Sequence, residues 1–229
     1  MACKEEDLKL LGSAVSPFAV RARMALVIKG VSYEHIEQDL FNKSELLRRS
    51  NPVHRKVPVL IHNGRPICEY LVIVQYVDEF LVSTTQLPIL PADPYDRAIA
   101  RFWADYIDSE MLHDWLGIMR ATTLEERLEK VKQSFAKMKR LEDVFINCSN
   151  GKAFFGGESI GYLDLALGSF LFWFKTLHKI FGVEIIDATN TPLLATWAGR
   201  FMETTVAKEV APDGDRMVAH FKKVYRSAL

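Results

Sequence analysis

The hydrophobic pattern of this chain changes character once, and the change sits at a cluster of prolines. Pro88, Pro91 and Pro94 fall close together, behind the polar run Ser83-Thr84-Thr85. Proline removes a backbone donor and restricts the residue before it, so such a cluster interrupts helix and strand alike. Before it, short apolar runs alternate with helical spacing. After it, only helical spacing persists. The asymmetry predicts an α/β domain over residues 1–82, a linker over 83–95 and an all-helical domain over 96–229.

The first stretch reads βαβαββα. Leu8 to Leu11 is a short apolar strand. Ser16-Pro17 opens a helix whose apolar residues Phe18, Ala22 and Ala25 fall near helical spacing, with Gly30 as its stop. Tyr33 to Gln38 alternates as a strand does, and Ser44 to Ser50 suits a short helix. Val57 to His62 and Arg65 to Cys68 flank Asn63-Gly64, the pair that supplies the positive φ angles of a two-residue hairpin turn. Leu71 to Leu81 is helical. Beyond the prolines, helices are expected at Arg97–Met119, Leu124–Phe145, Leu163–Leu177, Leu193–Met202 and Asp215–Tyr225.

Composition narrows the function. Lys plus Arg and Asp plus Glu each number 29, so bulk charge recruits neither nucleic acid nor an anionic membrane. No stretch approaches the roughly 20 apolar residues of a membrane helix, and the charged N-terminus, MACKEEDLKLLG, does not read as a signal peptide. The three cysteines, Cys3, Cys68 and Cys148, are widely spaced and form no C-x-x-C pair. A disulfide framework, a zinc site and a dithiol centre are not expected; inert thiols in a reducing, cytosolic setting are.

Four local features bear on chemistry. Ser16 stands where a helix cap belongs, and a plain cap is its simplest role. The same position lies at the positive end of the helix dipole, where its hydroxyl can donate to a thiolate and lower the thiol's pKa. Val57-Pro58 begins a strand. Glu69-Tyr70 follows a strand and begins a helix, a position that suits either a dipole-stabilising first-turn acid or a charge partner for a ligand ammonium. Lys43 and Lys56 lie on loops of the same region, where lysines are ordinarily solvated.

In order and spacing these features match a pattern. LLGSAVSPFAVRARMALVIKGVSYE, NPVHRKVPVLIHNGRPICEYLVIVQYVDE, LPADPYDRAIARFWADYID and FFGGESIGYLDLALGSFLFWFK together resemble the plant tau-class glutathione transferases over almost the whole chain. The resemblance implies a thioredoxin-like N-terminal domain, an all-helical C-terminal domain and a homodimer. It implies a cis bond before Pro58, and that Ser16 rather than Ser13 stabilises the thiolate of glutathione, the co-substrate. By the same resemblance Lys43 and Lys56 approach the glycyl carboxylate, the main chain of Val57 pairs with the cysteinyl backbone, and Glu69 meets the γ-glutamyl end.

A serine normally follows that glutamate in this family; here it is Tyr70, whose ring must point outward or cross the pocket. The electrophile pocket is implied to include Phe18, Leu112, Leu116, Trp173 and residues near His220, the two leucines favouring apolar ligands unless they are ordinary core residues. Gly161 to Asp164 matches a helix-start motif with glycine in place of the usual hydroxyl cap. The activity implied is conjugation of glutathione to small apolar electrophiles, with hydroperoxides as a second target, in detoxification and stress response. No metal and no bound cofactor is implied, nor any nucleic-acid or membrane partner. The rival is a non-catalytic carrier (ligandin) of apolar molecules in which Tyr70 has weakened glutathione binding.

Overall fold

A computed structural model describes residues 7–80 and 88–225. The chain divides into two compact units: the described residues up to Phe80 together with Glu209–Ala211, and Pro88–Lys208 together with the described residues from Pro212 onward.

The first unit has the expected order: β1 Leu8–Gly12, α1 Pro17–Ile28, β2 Glu34–Glu37, α2 Glu45–Ser50, β3 Val59–His62, β4 Arg65–Cys68 and α3 Tyr70–Phe80. Leu81 lies outside the described residues, as do Ser83-Thr84-Thr85 of the linker. The sheet order is β2-β1-β3-β4, with β1 parallel to β2 and the other pairs antiparallel. Asn63 and Gly64 turn the β3–β4 hairpin at φ 49° and 78°. All four residues of β3 are buried, as an interior strand requires. Leu11, Val59 and Ile61 pack on Leu47 of α2. Leu10 and Leu60, one step along their strands, face the other side. An ion pair that the sequence did not announce joins α1 to α3: Lys29 Nζ lies 2.7 Å from Asp78 Oδ1, with both side chains buried.

The second unit is helical: α4 Pro94–Tyr106, α5 Leu112–Arg120, α6 Leu124–Ser149, α7 Tyr162–Gly168, α8 Leu171–Phe181, α9 Pro192–Met202, α10 Thr205–Val210, whose last two residues fall in the first unit, and α11 Gly214–Val224. Two expected helices are interrupted. The run expected over Arg97–Met119 contains a π-helical turn, Ile107–Met111, in which the Leu112 N–H reaches back to the Ile107 carbonyl. The run expected over Leu163–Leu177 breaks at Ser169-Phe170. There the Phe170 N–H turns to the Leu167 carbonyl, and Phe201 packs so closely on Gly168 that a Cβ would collide with its ring. The short helix α10 was not anticipated.

Two buried carboxylates organise this unit. Glu142 of α6 accepts the N–H groups of Leu193 and Leu194, both at 2.8 Å, and so caps α9 from another helix. Asp164 is wholly buried in α7. It accepts from Gly161 N at 2.8 Å, Gly156 N at 2.9 Å, Phe155 N at 3.0 Å and the Trp197 indole at 2.7 Å. Gly161 has no side chain to cap α7, so Asp164 reaching back supplies only the reverse half of a capping box. The backbone crowds this carboxylate: a Cβ on Gly156 would stand 2.6 Å from the Ser159 carbonyl oxygen.

Burial pushes the Asp164 carboxyl up to about 6, against the pull of its four hydrogen bonds. An unfolded aspartate ionises near 3.9, so between roughly pH 4 and 6 the folded chain holds a proton that the unfolded chain releases. The carboxyl's contribution is therefore fully present below about pH 4 and declines as pH rises through 6. Asp164→Asn keeps the shape but turns an NH₂ towards two N–H donors. At about 1–3 kcal/mol for each buried donor left unpaired, it should cost roughly 2–6 kcal/mol. Urea unfolding of both proteins checks this, and the wild-type advantage should be larger at pH 4.5 than at pH 7.5.

Candidate functional site

The polar groups of interest in the first unit lie at the start of α1, before α2, on the loop from Asn51 to Pro58 and at the start of α3. β1 ends at Gly12, the Ser16 N–H donates to the Ser13 carbonyl at 3.0 Å, and the chain enters the helix at Pro17. Ser16 is buried, and its Oγ accepts the Ala19 N–H at 3.4 Å, a long and weak cap. As an acceptor there, the hydroxyl keeps its own proton, which no described residue takes. The first turn of α1 has no acidic side chain, so the positive end of the helix is uncompensated. Ser13 differs: its hydroxyl donates to Glu37 Oε1 at 3.1 Å, and the same carboxylate accepts the Ala14 N–H at 3.2 Å. Glu37 thus ties the turn down and leaves Ser16 as the serine with a hydrogen to give.

The loop from Asn51 to Pro58 supplies main-chain groups. Asn51 is buried; its Nδ2 donates to the Lys56 carbonyl at 3.1 Å, and its Oδ1 accepts the His54 N–H at 3.0 Å. The Arg55 N–H, from a residue at φ 53°, donates to the Asn51 carbonyl at 2.8 Å. Fixed in this way, the loop presents an exposed Lys56 and a Val57 whose N–H and C=O have no partner among the described residues. The Val57-Pro58 bond is cis. Lys43 lies half-buried just before Ser44, which caps α2 by accepting the Leu47 N–H at 3.1 Å. Neither lysine has a described carboxylate within ion-pair distance. An unpaired N–H and C=O beside free ammonium groups can extend a peptide-like ligand as an added strand and hold its carboxylate.

Glu69 joins β4 to α3 at φ 71°, a left-handed conformation that glutamate seldom adopts. That bend leaves its carboxylate about half exposed, with His54 Nε2 3.7 Å away. Tyr70 follows, and its ring neither points outward nor stands alone. It lies on Phe18, centroids 4.5 Å apart and planes tilted by 30°, and the Arg21 guanidinium sits 5.1 Å from the Tyr70 centroid and 5.5 Å from that of Phe18. Arg21 is fully buried. Asn51, Arg21, Glu37 and His54 are functional neighbours that the sequence reading did not single out. Only Asn51-Pro52 carried a local signal, as a turn-forming pair.

In the second unit the structure pairs the expected residues in twos. Leu112 and Leu116 lie one turn apart on α5 and are half-buried, whereas Met111, Trp115, Ile118 and Met119 are buried; the two leucines are therefore not core. Trp173 of α8 meets His220 of α11 edge-on at 6.1 Å. Burial, and then Lys223 and Arg216, lower the His220 pKa, which favours a neutral ring. No cluster of metal-ligating side chains occurs among the described residues.

The model of the glutathione S-transferase N-terminal domain matches residues 6–79. The chain is 46% identical over 220 residues to a probable glutathione S-transferase of Oryza sativa subsp. japonica, covering 95% of this chain and 93% of that one. A tau-class glutathione S-transferase from mango, Mangifera indica, superposes with a TM-score of 0.89 at 47% identity, covering 95% of this chain and 98% of that one. A rice enzyme crystallised with glutathione superposes with a TM-score of 0.86 at 34% identity, over 98% of both chains.

Cys68 lies next to Glu69 but is not built as a nucleophile. Its thiol points at the Ser50 carbonyl, 3.5 Å away, and burial, helped by the Glu69 charge, raises its pKa. Since the thiolate is the reactive form, Cys68 should react with iodoacetamide more slowly than free cysteine at pH 7.5, with its rate still rising above pH 9. Labelling followed by peptide mass spectrometry gives the rate.

Proposed function

The chain belongs to the plant tau class of glutathione S-transferases, and from that premise we propose that Ser16 is the hydroxyl that activates the thiol it transfers. It is an enzyme that joins glutathione to electrophiles. The observation that supports Ser16 is its unspent hydroxyl hydrogen at an acid-free helix start, beside a Ser13 already committed to Glu37. A thiolate placed there gains a hydrogen bond and the favourable end of the α1 dipole, both of which favour the charged form. The thiol proton passes to solvent. The sulfur lone pair then forms the carbon–sulfur bond as the leaving group departs with its own pair.

The remaining assignments follow the geometry. Lys43 and Lys56 hold the glycyl carboxylate, Val57 pairs its free N–H and C=O with the cysteinyl backbone, and Glu69 receives the γ-glutamyl ammonium in competition with His54. Phe18, half-buried two residues after Ser16, supplies apolar surface on the same helix. In the helical unit, Leu112 with Leu116 and Trp173 with His220 supply apolar surface for the electrophile. A hydroperoxide oxygen is a second electrophile for the same thiolate. Residues 1–82 form the glutathione-binding domain and 96–229 the electrophile-binding one. The reading extends to a cytosolic homodimer: Cys68 and Cys148 are free thiols, and Phe41 and Val53 are apolar side chains left 53% and 80% exposed.

Ser16→Ala removes the donor without disturbing groups that hold neutral glutathione. Glutathione affinity should stay within about twofold while kcat falls at least tenfold, and the thiolate absorbance of the complex should titrate at higher pH than in wild type. Near-normal kcat in steady-state assays with a chlorodinitrobenzene substrate would remove Ser16 from the mechanism.

Tyr70 keeps its hydroxyl on a ring stacked against Phe18, where a serine would place one beside the main chain. A hydrogen bond to a charged group contributes about 1.5–3 kcal/mol. Tyr70→Ser should therefore tighten glutathione binding several-fold in isothermal titration. Equal or weaker binding would mean that the stacked ring itself supports the ligand.

A further inference from the structure

Two leucines of α5 are aimed by contacts on the far side of their helix. At roughly 100° per residue, Leu112 and Leu116 share one flank of α5 and Asp114 lies on the opposite flank. Met111, Trp115 and Ile118 form the buried face between them. Apolar packing of that face has no preferred direction, so it leaves the roll of the helix about its own axis loosely set.

Direction comes from one side chain of α6. Lys137 Nζ lies 2.9 Å from Asp114 Oδ2, donates to the Glu110 carbonyl at 2.7 Å and has Glu110 Oε2 at 3.6 Å. One turn before it on α6, the Ser134 hydroxyl accepts the Trp115 indole N–H at 3.0 Å. Glu110 belongs to the π-helical turn Ile107–Met111. Such a turn holds about one residue more than an α-helical turn, so it sets back every later side chain by roughly 100° about the axis. Lys137 thus holds both features that aim Leu112 and Leu116. It grips the π-turn through a main-chain oxygen and the opposite flank of α5 through a carboxylate. No other cation lies within ion-pair distance of Asp114 among the described residues.

Stability alone does not account for this arrangement. The Asp114 side chain is only 5% exposed, and a charge so placed is costly to dehydrate. An apolar pair of similar volume is often as stable or more stable. What an apolar pair lacks is a fixed geometry.

We propose that Lys137 is a positioning residue for the electrophile, a role that rests on Leu112 and Leu116 being electrophile surface. By holding the Glu110 carbonyl and Asp114 it fixes the π-turn and the roll of α5, and so sets which electrophiles the two leucines admit. Lys137 itself touches no substrate.

The test compares Lys137→Met, Lys137→Arg and the double variant Asp114→Leu/Lys137→Met at saturating glutathione. The electrophiles are 1-chloro-2,4-dinitrobenzene and the longer phenethyl isothiocyanate. Lys137→Met strands a buried carboxylate and should melt below wild type. The double variant removes both charges and should recover the wild-type Tm; it carries the test if Lys137→Met does not fold. Glutathione KM should stay within about twofold of wild type in all three. In Lys137→Met and in the double variant, KM for chlorodinitrobenzene should rise about fivefold while kcat stays within about twofold. The ratio of kcat/KM between the two electrophiles should shift by about threefold or more in both. Lys137→Arg keeps a charge and its donors and should hold the wild-type ratio. An ion pair that only stabilises the fold behaves differently: electrophile KM and ratio return to wild type with the Tm of the double variant, and that result overturns the role. Leu112→Ala separates the two layers. An unchanged electrophile KM in Leu112→Ala removes the leucine surface and the role of Lys137 with it. A shifted KM there, beside a wild-type ratio in the double variant, overturns Lys137 alone.

Discussion

The helical unit depends on one carboxylate that has no access to water. Asp164 gathers the N–H groups of Phe155, Gly156 and Gly161 and the indole of Trp197. A carboxylate has lone pairs for four such donors, and three of them, on Phe155, Gly161 and Trp197, belong to buried residues. One side chain therefore fixes the 155–161 turn, the start of α7 and the position of α9. The arrangement also explains the glycines on either side of it, since Gly156 and Gly161 approach within 2.8 Å of each other's built Cβ positions. An alkyl group on either would push the donors off the carboxylate.

The same problem, the open N–H groups at a helix start, is solved differently along the chain. Asp93 accepts from Tyr95 N at 2.8 Å and Asp96 N at 3.1 Å. Asp213 accepts from Arg216 N at 2.7 Å, Thr123 and Glu126 form a full capping box on α6, and Glu142 caps α9 from a distance. Against these, α1 is held by a 3.4 Å bond to a neutral hydroxyl with no acid in its first turn. A helix start left weakly satisfied retains its attraction for an outside anion. Among these side-chain-capped helices Ser16 makes the longest cap bond, and a negatively charged sulfur is the kind of group that would complete it.

Most of this was legible because it is local. Period-two and helical spacing, Asn63-Gly64 at the hairpin, Ser16-Pro17 at a helix entry and Ser44 at another each depend on a few adjacent residues, and the βαβαββα order follows from them. What escaped the sequence depends on distant partners. The π-turn at Ile107–Met111 contains neither proline nor glycine, so nothing in its spacing announces an extra residue. The break at Ser169-Phe170 arises where Gly168 meets Phe201, which lies far along the chain. Asp164 was legible as part of a helix-start motif; its donors on Phe155, Gly156 and Trp197 become visible only when the chain is folded. In the site, Ser16, Lys56, Val57 and Glu69 were named by pattern, whereas Asn51, which holds the loop carrying two of them, was not singled out.

Tyr70 shows how a departure from a pattern is absorbed. At the sequence level the choice lay between a ring in solvent and a ring across the pocket. The structure gives the ring a third place, stacked on Phe18 with the buried Arg21 guanidinium near both rings. An aromatic pair contributes about 0.5–1.5 kcal/mol beyond its buried area, and a cation close to an aromatic face adds to that. That gain is comparable with the hydrogen bond a serine would offer a ligand, but it accrues to the empty protein as well as the loaded one. Stabilisation present before the ligand arrives adds nothing to affinity. Tyr70 therefore strengthens the junction of α1 and α3 while withdrawing a polar group from the ligand, so stability and glutathione affinity at this position are expected to move in opposite directions.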